Sequence, residues 1–338
     1  MAGLLIRSRL DRERSEATEL SPAACLVVNS RGRPNPEPPD HYRTAFEVDR
    51  DRILHSKAFR RLKHKTQVLI NPDDDHVVTR LTHTLNVTQI GRAIARALAL
   101  NPDLTEAICL GHDVGHSPFG HIGEEALSAY ADGEWLHARQ SVRIFETVEP
   151  INPSWEVSDG IRAHSWKINP PPSTQEGLVC RYADRIAYLT HDSLDAIRAG
   201  VIVPSDLPAR AVAVLGQPGA SWVGLLLEAV IEYSAQQGSV EMNPAMLEVI
   251  DELRTFMFAR VYERPQLAAQ RRGVVTVIRN LVEYFLAHPE ALPVTFQAET
   301  DPLLTRVIDY VAGMTDRYAL RVHTERIGTP PLVDAAVA

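Results

Sequence analysis

Apolar residues recur at intervals of three and four along most of the chain, the spacing that lays a single stripe on a helix, while the alternation expected of strands is scarce. This period predicts helices over residues 44–69, 80–100, 104–113, 122–131, 138–148, 155–164 and 176–199, then over 222–235, 244–262, 274–288 and 303–312. Turn clusters such as Gln217-Pro218-Gly219 and Glu263-Arg264-Pro265 separate the later segments. The fold class that follows is all-α. Residues 29–40 are too polar and proline-rich to pack, so a mobile N-terminal segment is expected over 1–41, an ordered body from near Tyr42, and a flexible tail over 328–338. Residues 168–174 break two helices and read as a loop, not a domain boundary. Within the body, residues 42–200 carry the chemistry, whereas 201–327 show no ligand-like cluster and are expected to pack on that core as support or to make oligomer contacts.

Composition alters this picture little. At 338 residues, 45% hydrophobic and 23% charged, the chain has the make-up of a soluble globular protein that folds without staples. Its three cysteines, Cys25, Cys109 and Cys180, are scattered and lack Cys-x-x-Cys spacing, which argues against a disulfide framework or a thiolate zinc site and fits a reducing cytoplasm. No apolar stretch reaches the roughly 20 residues of a membrane span, and the first ten residues are no signal sequence. The net charge of −8 excludes a generic nucleic-acid surface, so an anionic substrate needs a local basic site. The best candidate for a polyphosphate groove is the stretch 50–65, with seven Lys or Arg in sixteen residues, Arg60 and Lys63 among them.

Ligand-type side chains concentrate in the run 111–124, Gly-His-Asp-Val-Gly-His-Ser-Pro-Phe-Gly-His-Ile-Gly-Glu. The adjacent His112 and Asp113, with His83 upstream and Asp184 downstream, supply two nitrogen and two oxygen ligands of the kind a divalent cation accepts. That set is compatible with Mn or Mg foremost, and with Fe, Co, Ni or Zn. Arg80 and His83 stand three apart and share a helical face, presenting a phosphate fork and a metal ligand to one point. His121 and Glu124 are again three apart, a spacing at which the carboxylate holds one ring nitrogen and raises the basicity of the other, as in a general acid. Asp184, Tyr188 and Asp192 recur every four residues along one face, read as a cavity wall, with Arg185 beside them able to reach the same phosphates. No phosphate-cradling glycine loop and no Gly-x-Ser-x-Gly elbow is present, which leaves metal-activated water as the nucleophile.

The order His83, His112-Asp113, Asp184 resembles that of the HD-domain metal-dependent phosphohydrolases. The flanking stretches 46–52, 56–62, 79–84, 111–124 and 183–192 are similar to the dGTPase-like deoxynucleoside triphosphate triphosphohydrolases, over roughly residues 42–200. The resemblance implies an HD-type helical bundle with additional C-terminal helices. It also implies a metal on His83, His112, Asp113 and Asp184, and hydrolysis of a dNTP, dGTP included, to deoxynucleoside and tripolyphosphate. Residue by residue, it implies Gln67 near the sugar, Arg80 and Arg185 on phosphates, Tyr188 and Asp192 near the deoxyribose, and His116, His121, Glu124 and His137 around the scissile bond. Further partners it suggests are a dNTP activator and copies of the same chain, as a hexamer or smaller even assembly, with nucleic acid only as an effector. The rival readings are another HD phosphohydrolase, acting on 5′-nucleotides, alarmones or cyclic nucleotides, and a nucleotide sensor without turnover.

Overall fold

A computed structural model describes residues 4–67, 77–299 and 301–331. Among these it contains fifteen α-helices and no strand, only an isolated bridge between Thr66 and Thr79. The helices are α1 Arg9–Glu19, α2 Ala45–His55, α3 Lys57–Arg61, α4 Arg80–Ala97, α5 Pro102–Gly111, α6 Gly120–Ser128, α7 His137–Arg143 and α8 Trp155–Ala163. They continue as α9 Gln175–Arg198, α10 Ala209–Leu215, α11 Ser221–Gln237, α12 Pro244–Met257, α13 Ala268–Ala287, α14 Leu303–Ala312 and α15 Asp316–Arg326. The fold is all-α. No helix is long and apolar enough to cross a membrane.

Three helices escape the apolar period. Seven of the eleven residues of α1 are charged, so it shows no stripe; it is held by the Ser8–Asp11 capping box, by Arg12 paired to Glu47 at 2.6 Å, and by Glu16 accepting from the Val27 N–H at 2.7 Å. α10 and α15 are short or polar. The expected single helix over 44–69 breaks at Ser56, whose hydroxyl caps α3 by accepting from the Phe59 N–H at 3.1 Å; residues 68–69 lie outside the described residues. Within residues 1–41, α1 and Arg33 make contacts with the body. Arg33 pairs with the buried Asp49 and donates to the Asn152 and Ala45 carbonyls, so one long side chain anchors a segment whose composition suggests none.

Two large apolar cores form. The first gathers α2, α4, α5, α8, α9, α11 and α12; the second gathers α6 with α13, α14 and α15. The C-terminal helices therefore brace α6, whose first turn carries His121. Asp316, the first residue of α15, accepts from the Phe119 N–H at 2.9 Å and from the Thr66 N–H at 3.0 Å, tying two loops together. Lys65 is buried and donates to the carbonyls of His116 and Ala312. Asp316→Ala leaves the Phe119 and Thr66 N–H groups without this partner, so we expect a loss of about 1–3 kcal/mol in thermal unfolding. An unaltered Tm would show that the tie holds nothing.

Candidate active site

Six helices deliver the ligand-type side chains to one place. α4 starts at the capping box of Thr79 and turns Arg80 and His83 inward in its first turn. α5, started by Asn101 and Pro102, ends at His112-Asp113. The loop that follows runs against α7. A Cβ on Gly115 would lie 2.2 Å from the Ser141 nitrogen and 2.5 Å from the His137 carbonyl, so only glycine permits that approach. The Ser141 hydroxyl locks the same contact, donating to the His112 carbonyl at 2.8 Å and accepting from the Gly115 N–H at 2.9 Å. Phe119 and Gly120 both take left-handed backbone, at φ of 62° and 59°, which swings α6 so that His121 faces back toward the cluster. α7 opens with His137, α8 is followed by His164, and α9 carries Asp184, Arg185, Tyr188 and Asp192.

His83, His112, Asp113 and Asp184 converge. The His83 Nε2 lies 3.1 Å from Asp184 Oδ1 and 3.9 Å from Asp113 Oδ2. His112 Nε2 lies 3.7 Å from Asp113 Oδ2 and 3.9 Å from Asp184 Oδ1. Donors about 2.1 Å from one ion stand about 3 Å apart at a right angle and about 4 Å when opposed, so these spacings suit one cation. His112 donates from Nδ1 to the Cys109 carbonyl at 2.6 Å, which leaves a lone pair on Nε2; that atom is buried with no hydrogen-bond partner. An orphaned basic nitrogen among two carboxylates is the strongest sign that the residues present fit a metal.

The electrostatics agree. Burial pushes His112 down, toward the neutral ligand form. Burial opposes charge on His83 too, but the Asp184 bond outweighs it and holds the ring above its ordinary value. Asp113 is held well below the usual carboxylate range against its burial, by Arg80 first, whose Nη1 lies 2.7 Å from Oδ2.

Beside this set sits a chain of imidazoles. His121 donates from Nδ1 to Glu124 Oε2 at 2.9 Å, while Glu124 Oε1 accepts from His137 Nδ1 at 2.7 Å and from the His137 N–H at 2.8 Å. His137 Nε2 meets His164 Nε2 at 3.1 Å, and His164 donates from Nδ1 to the Ile161 carbonyl at 2.7 Å. Since burial drives the His164 pKa down to about 3, its Nε2 is an acceptor, and His137 donates from both nitrogens as an imidazolium. Burial opposes that charge, but Glu124 outweighs it and raises the His137 pKa. His116 stacks on His137 with centroids 4.0 Å apart and lies 5.2 Å from the His121 ring.

The residues expected at the substrate are divided. Arg80 already donates to Asp113 and, through Nε at 3.1 Å, to the Thr66 carbonyl. Arg185 stacks 4.0 Å over Trp166 and bonds Asp251 at 3.0 Å. Among the described residues, the buried amide oxygen of Gln67 has no partner. Arg60 and Lys63 are exposed, and among the described residues no hydrogen bond or ion pair ties either to the cluster. Asp192 is buried and accepts from the Tyr262 hydroxyl at 2.8 Å. Tyr262 closes a π-helical turn, Phe258–Tyr262, that extends α12. No sequence motif marks His164 or Tyr262: each ends a predicted helix, away from every cluster of ligand-type residues.

Burial raises the Asp192 pKa to about 7. Between its ordinary value of 3.8 and that point the folded chain keeps a proton the unfolded chain has lost, so stability falls as pH rises through this window. Asp192→Asn removes the penalty. We expect its Tm to exceed that of the wild type by several degrees at pH 8 and to match it near pH 4; equal Tm values at both pH values would contradict the burial of a charge there.

The HD domain family matches residues 80–189, and the phosphohydrolase-associated domain matches residues 240–325. A deoxyguanosinetriphosphate triphosphohydrolase-like protein of Caldanaerobacter subterraneus subsp. tengcongensis is 46% identical over 323 residues, 93% of this chain and 95% of that protein. Proteins of the same description in Desulfatibacillum aliphaticivorans and Clostridium perfringens are 42% and 39% identical, over 95% and 93% of this chain and 98% and 95% of their own.

Proposed function

Because the chain belongs to the deoxyguanosinetriphosphate triphosphohydrolase-like family of HD-domain proteins, we propose that it hydrolyses deoxynucleoside triphosphates to deoxynucleoside and tripolyphosphate. The observation that carries the reading is the donor group of His83, His112 and Asp184, with Asp113 3.7 Å from the orphaned His112 Nε2, beside the His121–Glu124 pair. A divalent cation on His83, His112, Asp113 and Asp184, Mn²⁺ or Mg²⁺ by preference, would supply Lewis acidity toward a phosphoryl group and a more acidic water.

The chain's own residues do the rest. Glu124 holds Nδ1 of His121, which turns Nε2 outward to protonate the departing 5′-oxygen. His121 is 67% exposed at the side chain, open to an incoming nucleotide. Once the polyphosphate arrives, Arg80 and Arg185 have competing anionic partners to exchange for it, with Arg60 and Lys63 at the outer end. Gln67 offers an unpaired acceptor to a sugar hydroxyl, and Tyr188 with the Asp192–Tyr262 pair closes the sugar end. Because the leaving group at the α-phosphorus is the nucleoside 5′-oxygen, the three phosphates depart as one.

Each dNTP, alone and mixed, should release free deoxynucleoside when incubated with metal-stripped protein and added Mn²⁺ or Mg²⁺. Ribonucleotides and monophosphates should react at least tenfold more slowly. Turnover of monophosphates alone, or tight dNTP binding with no hydrolysis under any of these metals, would overturn the proposal.

A further inference from the structure

The loop that leaves α8 lays an indole on α9. Trp166 is a large aromatic side chain left 39% exposed. Arg185 sits over its ring, with Cζ 4.0 Å from the centroid, and Cζ of Arg181, one turn earlier on the same helix, lies 4.8 Å from it. We propose that Trp166 is a positioning residue for the substrate's polyphosphate: it holds the Arg185 guanidinium in place when phosphate oxygens displace Asp251. The proposal rests on Arg185 receiving phosphate, as read above.

Three observations carry it. First, the one hydrogen bond of the Arg185 side chain among the described residues runs to Asp251 Oδ1 at 3.0 Å, while its Nε is buried without a partner. The Asp251 side chain is 58% exposed, and an ion pair so open to solvent contributes little. Asp251 alone therefore fixes neither the plane nor the reach of a long, flexible side chain. The indole does, because a guanidinium stacked on a ring keeps its N–H edges free to bind phosphate oxygens in its own plane. Second, the indole is itself held. Its Nε1 donates to the Arg181 carbonyl at 3.3 Å, Tyr182 packs against it edge-on at 5.3 Å, and Arg181 Nη2 donates to the Ser165 carbonyl at 3.0 Å, gripping the loop at the residue before it. Third, Arg181 and Arg185 are each only 7% exposed, and Arg181 has no carboxylate partner among the described residues; its bonds run to the Ser165 and Ile168 carbonyls. Two buried cations with one exposed carboxylate leave positive charge in the turn next to Asp184, which a polyphosphate tail neutralises. Until it arrives, the negative face of the indole offsets part of that charge.

The test uses full-length, Mn²⁺-saturated protein and two readouts: the Kd of inorganic tripolyphosphate by calorimetry, and KM and kcat for dGTP. Trp166→Ala is expected to weaken tripolyphosphate binding about tenfold and to raise KM as much, with kcat within about threefold of wild type. Trp166→Phe, which keeps an aromatic face, should stay within about threefold on both readouts, whereas Trp166→Leu should fall with the alanine variant. Adding Trp166→Ala to Arg185→Ala should cost nothing further, because the indole acts through that guanidinium. Wild-type Kd and KM in Trp166→Ala, losses that add in the double variant, or a leucine variant equal to the phenylalanine one overturns the positioning role. Wild-type Kd in Arg185→Ala overturns the phosphate reading on which that role rests. Wild type that binds tripolyphosphate but hydrolyses no dNTP overturns the proposed function alone, since the Kd series still decides the role of Trp166.

Discussion

Asp184→Ala is expected to abolish turnover, by about 10³-fold or more, and to erase the rise in Tm that Mn²⁺ produces in the wild type. The carboxylate belongs to a helix whose packing does not depend on it: its side chain is 20% exposed, and the apolar Ile186 and Leu189 hold α9 in the core. Removing it deletes one of two anionic donors and leaves His83 without its 3.1 Å partner. Several kcal/mol of charge stabilisation vanish with the cation, and each 1.4 kcal/mol is about tenfold in rate. A ligand at about a hundred times its Kd stabilises the folded chain by about 2.7 kcal/mol, so the wild type should gain several degrees and the variant none. Near-normal activity in the variant, or an unchanged metal-dependent Tm, would remove Asp184 from the ligand set.

Glu124→Gln tests the other half of the site. One carboxylate accepts from His121 Nδ1, His137 Nδ1 and the His137 N–H; the amide has one acceptor oxygen and no charge, so it leaves an imidazolium unbalanced in a buried place. Turnover is expected to fall by about 10²–10⁴-fold, the range for losing a general acid, with Mn²⁺ still bound by His83, His112, Asp113 and Asp184. Stability should fall by about 3–5 kcal/mol, as when one partner of a buried ion pair is removed. The pH dependence has a definite sign. Burial opposes the Glu124 charge, but His137 and His116 hold its pKa well below 4.5, so its contribution is present above that value and fades as pH falls. The raised His137 pKa gives the opposite limb, present below 6.5 and fading as pH rises through the folded value. The Tm gap between wild type and variant should therefore be widest between these two values and narrow on both sides. A gap independent of pH would mean that the bond carries no charge.

Much of this site is legible in the order of the amino acids. His112 and Asp113 are adjacent, His121 and Glu124 are one helical turn apart, and Asp184, Tyr188 and Asp192 repeat every four residues, so local geometry alone brings each group to one face. What local spacing does not carry is the meeting of distant elements. His164 enters the cluster because α8 packs on α7 and α9, and Tyr262 because a π-turn at the end of α12 aims it at Asp192. Asp316 ties loops some 200 and 250 residues away, a role no period or motif encodes. The basic stretch 50–65 divides for a similar reason: its pattern of charge does not distinguish Lys65, buried on two carbonyls, from the exposed Arg60 and Lys63. α1 stays hidden because ion pairs and caps, not an apolar stripe, hold it.

Hydrolysis at the α-phosphorus is tested most directly by following the oxygen atom. The full-length protein with Mn²⁺ would turn over dGTP and each other dNTP in ¹⁸O-labelled water, with the products separated by ion exchange and weighed by mass spectrometry. The expected result is unlabelled deoxynucleoside together with tripolyphosphate that carries the label. Pyrophosphate, orthophosphate, or label in the deoxynucleoside would contradict it.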